Sequence, residues 1–275
     1  MDMKPDGRGV QSIEVGARLL NVLVTEGEPM MLKDLAKQAG IAPAQAHAYL
    51  VSFRKQGLIE QEAQAGRYRL GPFALELGIT RMRSFDPLRM ATEGAINLAT
   101  ATGMTVAVVV WGSFGPTVIQ VHESGDQINM NTRAGTVYSL SGTASGRVFA
   151  AFMPDGLIRE FLKNERKEDP LSQRIGKPQF LSKTTITDIR RNGFATIEDR
   201  PVPSVGAISA PVFDHVGQMQ LALTLIGPEK VLDTSVGSPF VEKLLFATNA
   251  LSYQLGFDAR HIKPGGSALG AVTHD

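Results

Sequence analysis

Residues 40–71 read GIAPAQAHAYLVSFRKQGLIEQEAQAGRYRLG, and the order of signals along this stretch decides the fold of the N-terminal part of the chain. Pro43, after the turn Gly40-Ile41-Ala42, suits the first turn of a helix, where its missing N–H would be unpaired anyway. Helical spacing puts Ala46, Tyr49, Leu50 and Phe53 on one face. Ala44, Gln45, Ala48, Ser52 and Lys55 fall on the other, with His47 at the border. Gly57 ends the helix. LIEQ and RYRL then alternate around AQAG, which predicts a small hairpin with Gly66 in its turn.

Working outward toward the N-terminus, SIEVGARLLNVLVT (12–25) places Ile13, Ala17, Leu20 and Val24 at helical spacing, with Val15, Leu19, Val22 and Leu23 widening the stripe. This predicts a largely buried helix, broken by Gly-Glu-Pro at 27–29. LKDLAKQAG follows as a short helix with Leu32, Leu35, Ala36 and Ala39 inward and Gly40 as its stop. Helix, short helix, turn, helix and hairpin is the order of a winged helix-turn-helix. In such a unit the second helix of the pair lies in the DNA major groove and the wing lies against the backbone. A three-helix core with an idle hairpin is the plainer alternative.

Toward the C-terminus, PFALELGITRMRS (72–84) is helical and apolar on several sides, a packed connector. Asp86-Pro87 is a stop and restart, and a domain boundary is placed there. LRMATEGAINLATATG is one more helix, ended by Gly103. TVAVVVWGS, PTVIQVHES and QINMNTRAG read as strands, and SGTASGRVFAAFMP as a helix that starts with small residues. LIREFLKNERK and TITDIRRNG are amphipathic helices. GFATIEDR, VGAISAPVFD and MQLALTLIG are strands, the last two joined through HVGQ, and FVEKLLFATNALSYQLG is a closing helix. The expected class is α+β with a mainly antiparallel sheet. The expected division is 10–71 for the winged unit, 72–85 for a linker helix, 86–257 for the second domain and 258–275 for a flexible tail.

Bulk properties narrow the function. The 275 residues are 43% hydrophobic and 20% charged, which suits a globular protein with a real core. The absence of cysteine excludes disulfides, thiolate metal sites and a cysteine nucleophile, and fits a reducing cytoplasm. MDMKPDGRGV lacks a signal-peptide core, and apolar runs such as VAVVVW fall far short of the roughly 20 residues that span a membrane. A soluble, cytoplasmic protein with no membrane partner is expected. Net charge is +1, and through Pro72 nine Lys or Arg stand against eight Asp or Glu, so charge alone does not announce nucleic acid.

Several strings coincide with a known pattern: HAYLVSF–KQGLI, GRYRLGPFALELG, AGTVYSLSGTASGRVFAAF, and NGFATIED–VGAISAPVFDHVGQMQLALTLIGP. From about Ser12 to Gly256, in order, the chain resembles the IclR family of bacterial transcriptional regulators. The resemblance implies a winged helix that binds operator DNA, a linker helix used in dimerisation, and a GAF-like C-terminal domain that binds a small effector. It also implies a homodimer, or a dimer of dimers. Family recognition helices usually carry Thr and Arg where this chain has Gln45 and Ala48, while His47 matches a common family histidine. Gln45 is the expected base contact, since glutamine can pair bidentately with adenine. Ser52 shares the DNA-facing set. Arg54, Lys55, Arg67 and Arg69 are candidates for phosphate contacts or are ordinary solvated charges.

In the second domain the resemblance places Thr143, Ala144 and Ser145 at the helix start, Val205 and Ala207 on the next strand and Thr224 on the last as effector-binding candidates. Small residues at a helix N-terminus expose N–H groups to an anion; the same residues also let helix and sheet pack closely. The family pattern has a small polar or acidic residue at Ile197 and a Glu at Arg200. Glu198 and Asp199 are off register by a residue and would face the opposite side of a strand. Arg200 is therefore a candidate to hold a ligand carboxylate in its guanidinium fork.

Enzyme signatures are missing. GTASG is not G-x-S-x-G, there is no G-x-G-x-x-G or phosphate-binding lysine loop, and the histidines at 47, 122, 215, 261 and 274 form no HExxH. No catalytic residue, cofactor or metal is expected. The resulting reading is a DNA-binding transcriptional regulator controlled by a small effector, a carboxylate by the Arg200 argument. The alternatives are a regulator whose helix-turn-helix binds protein and, more remotely, a small-molecule hydrolase.

Overall fold

The computed structural model describes residues 9–83, 86–123, 132–165, 175–176, 179–197 and 204–258. The chain divides between Phe85 and Asp86 into two compact units. The first contains α1 (Gln11–Glu26), α2 (Leu32–Ala39), α3 (Pro43–Lys55), β1 (Ile59–Gln61), β2 (Tyr68–Leu70) and α4 (Pro72–Arg83). Gly40 closes α2 in the left-handed conformation, its N–H bonded to the carbonyls of Ala36 and Lys37, and Pro43 opens α3 two residues after Ile41. The hairpin pairs Ile59 with Leu70, Glu60 with Arg69 and Gln61 with Tyr68, and Met30 bridges to Tyr68 from before α2. Leu19, Leu23, Leu35, Ala46, Leu50, Ile59 and Tyr68 make the core.

One expected stripe is displaced. In α1 the buried residues are Gly16, Leu19 and Leu23, whereas Ile13 is 69% and Val24 49% exposed. Gly16 explains the shift: a Cβ there would stand 2.9 Å from Phe53 Cζ and 3.1 Å from Tyr49 Cδ1. The bare glycine lets α1 approach α3, and the buried line follows that contact rather than the larger side chains. A glycine carries no hydrophobic weight in a sequence pattern, so the approach could not be read there. Gly16→Leu is expected to lower the urea-unfolding stability of the full chain's first unit, followed by circular dichroism, by about 1–3 kcal/mol. Gly16→Ala should be near neutral, its helix-propensity gain of about 1 kcal/mol offsetting the crowding.

The second unit runs α5 (Pro87–Thr102), β3 (Thr105–Gly112), β4 (Gly115–His122), α6 (Ala144–Phe152), α7 (Asp155–Glu165), α8 (Lys183–Asn192), β5 (Ala195–Ile197), β6 (Val205–Phe213), β7 (Met219–Pro228) and α9 (Pro239–Gln254). The strands form one antiparallel sheet in the order β4-β3-β7-β6-β5. The two strand groups seen in the sequence therefore join through β3 and β7. Most of the strand expected at 127–135 lies outside the described residues, and residues 132–135 form no strand.

Directly paired residues share a face, so the register sorts the sheet. Val106, Val108, Ile208, Ala210, Leu223 and Leu225 point to one side, on which α5 and α9 pack. Ala107, Val109, Ala195, Ser209, Ala222, Thr224 and Ile226 point to the other, toward α6 and, beyond it, α8. Both faces are buried, which is why β3, β6 and β7 read as nearly continuous apolar runs. Asp86, Thr143, Ser182 and Ser238 cap α5, α6, α8 and α9 through their side-chain oxygens.

Candidate nucleic-acid interface and effector site

In the first unit, α3 buries Ala46 and Leu50 and leaves Ala44, Gln45, His47, Ala48, Ser52, Arg54 and Lys55 exposed. The DNA-contact candidates of the helix thus share an outward surface. Ser52 Oγ donates back to the Ala48 carbonyl at 3.2 Å. Arg54 Nη1 donates to Gln61 Oε1 at 2.9 Å, tying the end of α3 to the wing, and Gln61 Nε2 donates to the Gly66 carbonyl at 3.0 Å. On the wing, Arg69 Nε meets Glu60 Oε1 at 2.6 Å and Arg67 Nε lies 3.9 Å from Glu62 Oε2. Both wing arginines are therefore partly neutralised by their neighbours. Lys55 makes no ion pair among the described residues.

In the second unit, the entry to α6 is built against the loop before it. Thr143 Oγ1 donates to the Ser139 carbonyl at 2.8 Å and accepts from the Gly146 N–H at 3.0 Å. Ser145 Oγ lies 2.8 Å from Thr224 Oγ1, which lies 2.9 Å from Ser209 Oγ, and Ser209 donates to the Leu223 carbonyl at 3.3 Å. All three hydroxyls are buried. The carbonyl can only accept, so the arrangement that satisfies every donor runs Ser145 to Thr224 to Ser209 to Leu223.

The fold thus joins Ser145 and Thr224 directly, with Thr143 and Ala144 beside them. Ala207 sits two residues from Ser209 on the same face, opposite Ile226, and Val205 follows opposite Pro228. Arg200, with Glu198 and Asp199, lies outside the described residues. Ser209 was not singled out in the sequence, although its period-2 spacing from Val205 and Ala207 puts it on their face. Nothing in the sequence pattern marks Arg147. Its guanidinium reaches the Ser141 carbonyl (3.2 Å), the Thr196 carbonyl (3.0 Å) and Gln179 Oε1 (2.9 Å). Burial lowers its pKa from the ordinary value, while arginine remains charged.

Trp111 packs on Phe149 (5.8 Å) and edge-on to Phe161 (5.1 Å), which makes it part of the core beneath α6 and α7. Tyr138 is in the same cluster, its hydroxyl donating to Thr132 Oγ1 at 3.2 Å. Burial pushes its phenol up to about 12 from 10.0, against a smaller lowering by the Thr132 bond. The folded state therefore holds this proton more tightly than the unfolded chain. The contribution is complete below pH 10.0 and is lost between there and about 12, as the unfolded phenol ionises first. The expected loss is up to about 3 kcal/mol, and Tyr138→Phe should abolish it, read as the difference between the two proteins' urea midpoints across that window.

Among the described residues no three His, Asp or Glu gather as a metal site, and no helix is long and apolar enough to cross a membrane. Comparison with known proteins then decides the family. The model described as the IclR helix-turn-helix domain matches residues 12–63, and the one described as Bacterial transcriptional regulator IclR C-terminal matches residues 84–253. The chain belongs to the IclR family.

This IclR-family chain is 27% identical to the glycerol operon regulatory protein of Streptomyces griseus, covering 90% of this chain and 98% of that one. It is 23% identical to the transcriptional regulator XynR of Escherichia coli K12, over 91% and 99% of the two chains. Among solved structures, HmgR of Pseudomonas aeruginosa superposes with a TM-score of 0.74 at 32% identity, over 91% of this chain and all of that one. The protein is a DNA-binding transcriptional regulator, with a helix-turn-helix unit followed by an IclR-type effector-binding domain.

Proposed function

We propose that this regulator acts in the cytoplasm without catalysis, binding operator DNA through α3 and the wing of residues 10–71 and releasing or engaging it when a small carboxylate binds within residues 86–257. The observation that carries the reading is the outward face of α3. Gln45, His47 and Ser52 stand exposed there with Arg54 and Lys55 beside the wing, on a core that needs none of them. Gln45 would read a base, with Lys55, Arg54, Arg67 and Arg69 placed for phosphates.

Residues 72–85 serve as the linker, and the working form is a homodimer or a pair of such dimers. Phe73, Leu75, Leu77 and Ile79 are each between 38% and 65% exposed in the single chain. A contiguous apolar helix of this kind calls for a covering partner, and sedimentation of the purified protein tests it. Two winged units would then contact half-sites about one helical turn apart or a multiple of it.

For the effector, Thr143, Ala144, Ser145, Val205, Ala207 and Thr224 form the proposed site, with Arg200 as the carboxylate partner. The hydroxyl relay supports an anion. If Ser209 gives up its 3.3 Å bond to Leu223, the longest of the three, every hydroxyl turns and Ser145 donates outward. Ligand binding could then shift DNA binding by no more than its differential affinity for the two states.

The test is fluorescence anisotropy with the DNA upstream of the protein's own gene against a scrambled duplex, at low and moderate salt. Saturable, sequence-selective binding with two protomers per site is the expected result. Equal, weak and salt-abolished binding to both would favour a second reading, a helix-turn-helix used on protein. That reading draws on the wing, where Arg67 and Arg69 already face Glu62 and Glu60.

A further inference from the structure

A polar cavity lies apart from the Ser145–Thr224 pair. It measures about 320 Å³ and opens at the outer edge of β5, where Arg147, Thr185, Asn192, Thr196, Thr234 and Ser235 line it. Strand β5 is the last of the sheet and has β6 on one side only. The Thr196 carbonyl accepts from Arg147 and so points away from β6. In an antiparallel ladder a residue's N–H and C=O point the same way. The Thr196 N–H therefore also faces outward, and no described residue accepts from it.

Arg147 supplies the charge. Its three bonds go to two carbonyls and an amide oxygen, and no carboxylate pairs with it among the described residues. A guanidinium carries five N–H donors, so two remain. Asp188, also at the cavity, is taken up by Arg191 at 2.5 Å. A half-buried cation with donors to spare attracts an anion more strongly than a surface one. The Asn192 amide and the Thr185 hydroxyl add neutral hydrogen-bonding groups to the cavity lining.

We propose that this cavity is a second ligand site, for a small hydroxylated carboxylate whose carboxylate rests on Arg147 and the Thr196 N–H and whose hydroxyls meet Asn192 and Thr185. It is separate from the proposed effector site: Ser145 reaches inward to β7, whereas Arg147 reaches the outer edge of β5.

Isothermal titration of the full chain with sodium gluconate, and with sorbitol as the uncharged polyol, tests the assignment. Gluconate is expected to bind with sorbitol inactive, and Arg147→Gln and Val236→Trp are each expected to weaken gluconate by about tenfold or more, as loss of a charge-assisted bond or of the space would. Val236 is 74% exposed at the cavity mouth, so tryptophan there blocks the cavity without entering the core. Circular dichroism checks that both variants fold, and if Arg147→Gln does not, Val236→Trp decides alone. No gluconate binding, equal sorbitol binding, or unchanged gluconate affinity in folded Val236→Trp would each overturn the proposal.

Discussion

Replacing Gly146 with alanine is expected to cost the second unit about 3 kcal/mol or more, at the upper end of what overpacking does. A Cβ at this position would overlap the Ser139 carbonyl oxygen and stand 2.5 Å from that of Leu140. These are backbone atoms, and they are pinned. The Tyr138 N–H donates to Pro116 at 2.7 Å, the Ser139 N–H to Ile175 at 2.8 Å, and the Gly142 N–H to Ser139 Oγ at 3.0 Å. Relief by moving α6 is no easier, because Ser145 on the same turn is bonded to Thr224 and Phe149 is fully buried. Trp111 is the only tryptophan of the chain and packs on Phe149, so its fluorescence reports the second unit alone. Urea unfolding followed by that signal should shift to a clearly lower midpoint. A midpoint within error of the parent would mean that the loop at 139–142 yields more readily than its hydrogen bonds suggest.

Gln45→Ala is expected to lower operator affinity by about 5- to 150-fold, the 1–3 kcal/mol of one bidentate base contact, while leaving binding to scrambled DNA unchanged. The distinction matters because α3 presents two kinds of group. Lys55, exposed and without an ion pair among the described residues, should behave as a phosphate contact. Its alanine variant should weaken all duplexes alike and reduce the salt slope by about one. Arg67→Ala and Arg69→Ala should do less, since each also frees a glutamate that repels DNA. Anisotropy titrations at several salt concentrations separate the three cases. If Gln45→Ala lost affinity equally for operator and scrambled DNA, base reading by this residue would be wrong.

The two units were legible in the sequence to different depths. Gly40, Pro43, Gly57 and Gly66 punctuate the first unit strongly enough to place α2, α3 and the hairpin, because each marks a backbone requirement that other residues meet poorly. HVGQ announced the hairpin of VGAISAPVFD with MQLALTLIG, but nothing in the run VAVVVW showed that it joins that hairpin, since runs buried on both faces carry no alternation to set a register. The β6–β7 hairpin sets Thr224 against Ser209, whereas the pairing of β3 with β7 across more than a hundred residues and the approach of Ser145 to Thr224 are tertiary outcomes. In the sequence the small residues Thr143, Ala144 and Ser145 suit either ligand contact or close packing. The Gly146 contacts with Ser139 and Leu140 establish the packing role, and the ligand role stands as proposed.

What the sequence determined by itself is local: helix starts and stops, the hairpin turn, the polar outward face of α3, and motif order enough to indicate the family. These follow from short-range backbone and periodicity rules that a single stretch carries. Only the tertiary structure decided which α1 residues are buried, where the three hydroxyls meet, and that Arg147 stands at the sheet edge. Such contacts depend on how closely elements distant in sequence can approach. At Gly16 and Gly146 that distance is set by a missing Cβ, an absence that no hydrophobic pattern records.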